Sequence, residues 1–92
     1  MDAKALKAIR RKESELIEKM KDALPPVIAR KHVGKFLGGM ISSNTLANAD
    51  SAGEGPGGAY RVGNSVIYRT GPLLDWIVVK YGVTPIINSK NL

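Results

Sequence analysis

The order of elements that the sequence predicts between residues 28 and 76 constrains the fold more than any other feature. A short basic helix over residues 30–37 ends at Gly38-Gly39, because glycine adopts the left-handed conformation that helix ends need. A polar helix follows, with Ser42 or Ser43 suited to cap its N-terminus, and it runs through residues 45–48 to about Ser51 or Ala52. The pattern therefore predicts two helices joined by a glycine turn.

A tight hairpin comes after this helix pair. Two strands, near residues 59–62 and 66–69, flank the two-residue turn Gly63-Asn64. Glycine accepts the positive φ that the first position of this primed turn requires. The preceding segment, Gly-Glu-Gly-Pro-Gly-Gly at residues 53–58, is a loop by composition. The hairpin is therefore expected to follow the polar helix after this linker.

A third helix closes the pattern. Pro72 fits its first turn, Thr70 or Gly71 is the expected cap, and Gly82 ends it. The whole order predicts an α+β fold, a small winged helix-turn-helix with three core helices, a two-stranded wing and an extra N-terminal helix. Met40 and Ile41 are expected to bury the glycine turn. The other expected core residues are Phe36, Leu37, Leu46, Val66, Tyr68, Leu73 and Trp76.

Residues 1–24 predict an amphipathic helix. Its apolar residues recur at a period near 3.6, and Pro25-Pro26 ends it because proline cannot donate the backbone hydrogen bond. Such a helix is marginal alone, so its apolar stripe packs on its own domain, pairs with a second copy or, least favoured, lies on a membrane. The stripe comprises Leu6, Ile9, Leu16, Ile17, Met20 and Leu24. We accordingly divide the chain into a helix at 1–24, a winged domain at 25–82 and a tail at 83–92.

The charge of the chain favours a polyanionic partner. Its net charge is +6, and residues 1–35 hold ten basic and five acidic residues, a net charge of +5. Lysine and arginine neutralise phosphates and release their counterions, which drives binding to nucleic acid. A basic balance that serves solubility alone is the open alternative.

Several classes of function find no support in the sequence. The absence of cysteine excludes a disulfide framework and a thiolate zinc site, and it suits a reducing cytoplasm. No apolar run approaches the roughly 18–20 residues of a membrane span. The single histidine, His32, lacks a neighbouring acid, and the glycine loop lacks the Lys-Ser/Thr pair of a nucleotide-binding loop. We therefore expect no enzyme, no cofactor, no metal and no membrane partner.

The polar helix and the hairpin are the expected DNA-binding elements. The major groove of DNA, about 12 Å wide, admits one helix, whose first residues reach base edges. Asparagine donates and accepts hydrogen bonds at once, which suits adenine, while hydroxyls serve bases or phosphates. The expected base-reading residues are Ser43, Asn44, Thr45 and Asn48. The other expected DNA contacts are Arg30, Lys31 and Lys35 from the preceding helix, and Arg61, Asn64, Ser65 and Arg69 from the hairpin.

Four stretches also carry a family resemblance: Thr-Leu-Ala-Asn at 45–48, Gly-Glu-Gly-Pro at 53–56, Tyr-Arg-Val-Gly-Asn-Ser-Val-Ile-Tyr at 60–68, and Asp75-Trp76. Together, over residues 24–77, they resemble the excisionase-type, MerR-like winged helix-turn-helix domains, which include phage excisionases and AlpA-like regulators. The resemblance implies double-stranded DNA as the partner, with the second helix in the major groove and the wing in the neighbouring minor groove. It also implies a cytoplasmic, bacterial or phage-encoded protein that regulates transcription or bends DNA beside a recombinase, with a recombinase or RNA polymerase as a further partner.

The sequence departs from the family pattern in three places. Ala49-Asp50 replace a large and a basic residue, Asn64-Ser65 replace an arginine-rich wing tip, and Ala29 replaces a capping serine or threonine. Because Asp50 would repel a phosphate, these changes imply a weak or cooperative binder. The rival hypothesis is a protein-interaction module that kept the fold and lost DNA binding. A homodimer without DNA affinity would favour it, formed through Leu6, Ile9, Leu16 and Met20.

Overall fold

The computed structural model describes residues 14–84 and 86, which form a small α+β fold with four helices and a three-stranded antiparallel sheet. In chain order the elements are α1 (residues 14–23), β1 (Val27–Ala29), a 3-10 helix (Arg30–His32), α2 (Val33–Phe36), α3 (Ser43–Ser51), β2 (Ala59–Val62), β3 (Ser65–Arg69) and α4 (Thr70–Tyr81). The predicted α+β class is confirmed. The first basic helix differs in detail, since it starts as a 3-10 turn and becomes α-helical for only one turn.

A strand that the sequence did not predict completes the sheet. β1 pairs antiparallel with β3, with Ile28 opposite Tyr68, so the strand order is β1-β3-β2. The predicted two-stranded ribbon was therefore wrong, because β3 is the central strand of three. The three residues of β1 directly follow Pro25-Pro26 and are too few to show an alternating pattern. Their strand conformation depends on a partner 40 positions later in the chain.

The hairpin agrees closely with its prediction. β2 and β3 pair from Ala59 opposite Tyr68 to Val62 opposite Ser65, so β3 begins one residue earlier than expected. Gly63 has a φ of 60°, and none of the described non-glycine residues has a positive φ. A positive φ confined to the first turn residue is the pattern of a type II′ turn, whose twist matches that of the flanking strands.

The core lies between one face of the sheet and the helices. Leu37, Ile41, Leu46, Tyr68 and Leu73 are buried as predicted, while Val66 and Trp76 are only partly buried against this cluster. The predictions for two residues were wrong, because Phe36 is 40% exposed and Met40 is 53% exposed. The single turn of α2 explains Phe36, since Val33 and Leu37, four residues apart, occupy its inner face. The core also contains buried residues that we did not predict: Ile28, Leu74 and Ile77.

The described part of the N-terminal helix packs on the rest of the chain. Ile17, Met20 and Leu24 contact the core cluster, whereas Leu16 is 48% exposed. The ammonium group of Lys21 lies 3.1 Å from the carboxylate of Asp75 in α4. Of the three alternatives for the apolar stripe, packing within the chain therefore holds for residues 17–24. Leu6 and Ile9 lie outside the described residues, as does most of the predicted tail.

α4 begins at Thr70, which is earlier than a cap at Thr70 or Gly71 would place its first residue. Thr70 is its first helical residue, and Arg69 occupies the cap position without a side-chain hydrogen bond, so the prediction of Thr70 or Gly71 as cap was wrong. The buried Thr70 hydroxyl instead donates to the carbonyl of Pro25. The Thr70 backbone N–H donates to the carbonyl of Pro26 at 3.0 Å. These bonds join the start of α4 to the segment that ends α1.

Candidate nucleic-acid interface

α3 is held so that one side faces the core and the other faces solvent. The Ser42 hydroxyl caps the helix by accepting a hydrogen bond from the Thr45 backbone N–H at 3.1 Å, which confirms the prediction for this cap. Leu46 and Ala49 are buried, three residues apart on the inner side. The exposed residues Asn44, Asn48 and Ser51 follow the helical period on the opposite side. We call these three residues the α3 crest.

A groove runs between the start of α3 and the tip of the hairpin. It has a volume of about 290 Å³ and contains residues from the 3-10 helix, from α3 and from the β2–β3 turn. Its lining residues are Arg30, Lys31, Ser43, Asn44, Ala47, Asn64, Ser65 and Val66. Six of these eight are predicted site residues, so the structure brings the three predicted DNA-binding elements to one place.

Two exposed cations, Lys31 and Arg61, lie on the groove side of the molecule. Lys31 lines the groove directly, and Lys35 is exposed on α2 without lining it. Arg61 is exposed on β2 opposite Val66, which lines the groove. Because residues opposite each other in an antiparallel pair share a face of the sheet, Arg61 lies on the groove side.

Arg30 differs from these cations because its charge is already paired. Its Nη2 group lies 2.5 Å from the Oδ2 atom of Asp50, and its Nε–H donates to the Tyr68 hydroxyl at 2.9 Å. The same Tyr68 hydroxyl donates to Asp50 Oδ2 at 2.5 Å. These three side chains, which we call the Arg30 cluster, join the 3-10 helix, α3 and β3. Asp50 is thus neutralised inside the molecule, so our expectation that it would simply repel a phosphate was incomplete.

The ionisation of the Arg30 cluster follows from these contacts. The hydrogen bond with Tyr68, and next the one with Asp50, raise the pKa of Arg30 against the opposing effect of its partial burial. Burial raises the pKa of Tyr68, and its hydrogen bond to Asp50 acts in the same direction. Tyr68 therefore stays a neutral donor and Arg30 stays charged throughout the physiological pH range.

The loop after α3 is shaped by the same cluster. A Cβ atom on Gly55 would lie only 1.7 Å from Asp50 Oδ1, so the loop backbone passes directly against this carboxylate. One residue earlier, the Glu54 carbonyl accepts a hydrogen bond from Trp76 Nε1 at 2.8 Å. Glu54 Oε2 also lies 3.7 Å from Lys80 Nζ, which sits over the Trp76 ring at 5.4 Å from its centroid. The predicted linker is therefore anchored to α3 on one side and to α4 on the other.

Not all predicted site residues meet in the groove. Thr45 and Asn48 line a second, shallower hollow of about 300 Å³ between α3 and the end of α4. The Thr45 hydroxyl also lies 2.9 Å from the Ser42 hydroxyl and belongs to the helix cap. Arg69 is exposed but does not line the groove, and it pairs with Val27 across the sheet on the face opposite the buried Tyr68.

Two functional features escaped the sequence analysis. Ala47 and Val66 line the groove, although small and apolar side chains gave no signal of a binding surface. Asp50 pairs with Arg30 across 20 positions, a distance at which no helical or strand periodicity relates two residues. The only available signal was the presence of one acid in an otherwise uncharged helix.

Within residues 14–84 and 86, no helix is both long and apolar enough to cross a membrane. The same residues contain no group of three His, Cys, Asp or Glu side chains that could hold a metal ion. No protein-family model, curated protein or solved structure matches the chain.

Proposed function

We propose that this chain is a winged helix-turn-helix protein that binds double-stranded DNA. α3 enters the major groove, and the β2–β3 hairpin acts as the wing beside it. The observation that carries the proposal is the groove itself, in which Lys31, the start of α3 and the hairpin tip lie together. A helix with an uncharged polar crest, flanked by separate cations, suits a division between base reading and phosphate contact.

The α3 crest supplies the base contacts in this proposal. Asn44 and Asn48 are exposed one helical turn apart, and each amide can pair with adenine through two hydrogen bonds. The crest carries no charge, so it adds little to binding that is independent of sequence. Loss of one good bidentate contact is expected to cost about 1–3 kcal/mol at the preferred base.

Phosphate contacts come from the exposed cations beside the crest. Lys31 and Arg61 are exposed on the groove side and Lys35 is exposed on α2, whereas the charge of Arg30 is used internally. Each neutralised phosphate contributes a slope of about −0.9 to the plot of log affinity against log salt, so three cations predict a slope near −3. A single copy is therefore a weak binder, and strong occupancy needs a second copy or a partner protein on adjacent sites.

The biological setting follows from the resemblance in the sequence. We propose a regulator of the excisionase or AlpA type, encoded by a bacterium or a phage, that acts in transcription or recombination. Its role is to position itself on DNA, and a recombinase or RNA polymerase is the proposed partner on a neighbouring site. A role in transcription and a role in recombination differ in where the preferred DNA site lies. The sequence of that site is therefore the first property to determine.

Selection of bound sequences from a random duplex library tests the proposal. An enriched motif, with affinity that falls as salt rises, is the expected result. Asn48→Ala should weaken binding to the selected site while leaving an unrelated duplex almost unaffected. Lys31→Gln should weaken both duplexes and flatten the salt dependence by about one unit, whereas Lys19→Gln, exposed on α1, is the matched control for loss of charge. An equal loss on both duplexes for Asn48→Ala would refute its base-reading role.

A second candidate function rests on the outer face of the sheet. Val27, Tyr60 and Val62 are exposed by 44%, 54% and 59%, and Ile67 lies beside Tyr60 on the same face. Exposed apolar residues grouped on one face favour contact with another protein, and the occupant that this candidate specifies is a second copy of the chain. Self-association by sedimentation, lost in Val62→Ser, with no affinity for any duplex at low salt, would support this function over DNA binding.

A further inference from the structure

We propose that Asp50 limits the sequence-independent affinity of this protein for DNA by holding the Arg30 guanidinium in an internal ion pair. The inference rests on the proposed DNA-binding function and deepens it. Asp50 touches no DNA in this scheme. It acts through Arg30 and is a positioning residue.

The place of Arg30 makes its pairing consequential. Arg30 lines the groove next to Lys31, where a phosphate bound beside α3 would lie. Its side chain is only 26% exposed, and that of Asp50 is 24% exposed, so water screens the pair less than it would on the open surface. Two cations, Arg30 and Lys31, line the groove, and among the described residues only Lys31 is left without an ion-pair partner.

An uncompensated Arg30 would change the kind of binding. A guanidinium that faces a phosphate adds affinity for every duplex through counterion release, whatever its sequence. The Asn44 and Asn48 contacts with bases would stay the same, because neither residue belongs to the Arg30 cluster. Affinity would therefore rise for unrelated DNA and for the preferred site alike, because the released charge adds phosphate contact and no base reading.

The contacts around the ion pair allow the charge of Asp50 to be removed by substitution while Arg30 keeps its position. Tyr68 holds Arg30 through a separate hydrogen bond to Nε, at 2.9 Å. An asparagine at position 50 keeps the size of the side chain and an oxygen that can accept a hydrogen bond from Arg30 or Tyr68. Asp50→Asn therefore removes the negative charge while leaving Arg30 in the groove.

The test compares salt dependence for two duplexes, the selected site and an unrelated sequence. Asp50→Asn should bind the unrelated duplex about tenfold more tightly at low salt, with a slope steeper by about 0.9. Asp75→Asn is the matched control, since it also removes one acid from an ion pair, with Lys21 at 3.1 Å on the α1–α4 side. We expect the control to change affinity for the unrelated duplex by less than about twofold.

The double variant Arg30→Gln with Asp50→Asn separates the release of Arg30 from the simple loss of an acid. It has the same net charge as the wild type and replaces both charged partners, which is tolerated far better than removal of one. We expect its salt slope to equal that of the wild type. Circular dichroism of each variant establishes that it is folded, and the double variant keeps the test valid if Asp50→Asn alone does not fold.

Three outcomes would overturn the inference. Equal gains for Asp50→Asn and Asp75→Asn would show a general charge effect. A slope for the double variant that is shallower than that of the wild type would show that Arg30 already binds a phosphate. No change for Asp50→Asn, with normal binding by the wild type, would refute the inference alone, whereas absence of duplex binding by every variant at low salt would refute the proposed function with it.

Discussion

The Tyr68 hydroxyl offers a direct test of how much the Arg30 cluster contributes to stability. Tyr68→Phe removes one oxygen and keeps the fully buried ring, whose exposure is 0%. The change deletes the hydrogen bond that Tyr68 donates to Asp50 and the one that it accepts from Arg30. The ion pair between Arg30 and Asp50 itself stays in place.

The expected cost of Tyr68→Phe follows from these two bonds. A hydrogen bond to a charged group contributes about 1.5–3 kcal/mol to stability. Asp50 and Arg30 are about one-quarter exposed in their side chains, so water can replace part of the loss at each. We therefore expect the free energy of unfolding to fall by about 2 kcal/mol, which corresponds to a drop in Tm of about 8–16 °C for a domain of this size.

Thermal and urea unfolding followed by circular dichroism measure this change. Tyr60→Phe is the matched control, because the Tyr60 side chain is 54% exposed on β2 and its loss of a hydroxyl should cost less than about 0.5 kcal/mol. A drop for Tyr68→Phe that is no larger than that of the control would refute the claim that the two hydrogen bonds of the Tyr68 hydroxyl stabilise the fold.

The pH dependence of stability gives a second reading of the same variant. Burial raises the pKa of Tyr68 in the folded state above its value in the unfolded chain. The folded state therefore holds the phenolic proton more tightly, and this stabilisation is fully present below the unfolded pKa and lost as pH rises through the folded pKa. Wild-type stability should decline above about pH 10, and Tyr68→Phe should lack that part of the decline. Identical alkaline profiles for the two proteins would contradict this assignment.

Two further predictions concern the N-terminal cap of α3 and the loop that follows the helix. Ser42→Ala removes the cap that accepts a backbone N–H bond at 3.1 Å, so it should lower the free energy of unfolding by about 1 kcal/mol, and a smaller effect for Ser43→Ala would assign the loss to the cap. Gly55→Ala should destabilise by about 1–3 kcal/mol, because its Cβ would meet Asp50 Oδ1 at 1.7 Å. Gly57→Ala has open space around its Cβ and should be nearly neutral, so equal effects of the two glycine substitutions in chemical denaturation would exclude the steric explanation.

Local signals in the sequence were enough to predict α3, the hairpin and α4. A capping serine, a glycine at the first turn position and Pro72 each act within a few residues of their own position, so they are readable without the fold. The third strand had no such signal, because β1 is a strand only through its pairing with β3. Phe36 was assigned to the core from the helical pattern of residues 30–37, but a single helical turn has too narrow an inner face for it.

The candidate site shows the same division between local and distant causes. Asn44, Asn64 and Ser65 were predicted from their own elements, and the structure places them around one groove. Arg30 was predicted to bind phosphate because it is a cation in a basic helix. Its pairing with Asp50 and Tyr68 joins residues 18 to 38 positions apart, and only the folded chain shows that its charge is already compensated.

The two-sided character of α3 has a consequence for how this protein can diversify. Leu46 and Ala49 fix the helix to the core, whereas Asn44, Asn48 and Ser51 contact solvent. Substitutions at exposed helical positions usually change stability by less than about 0.5 kcal/mol. The chemistry of the crest can therefore evolve one residue at a time on an unchanged scaffold, with little risk that a new surface is lost through unfolding.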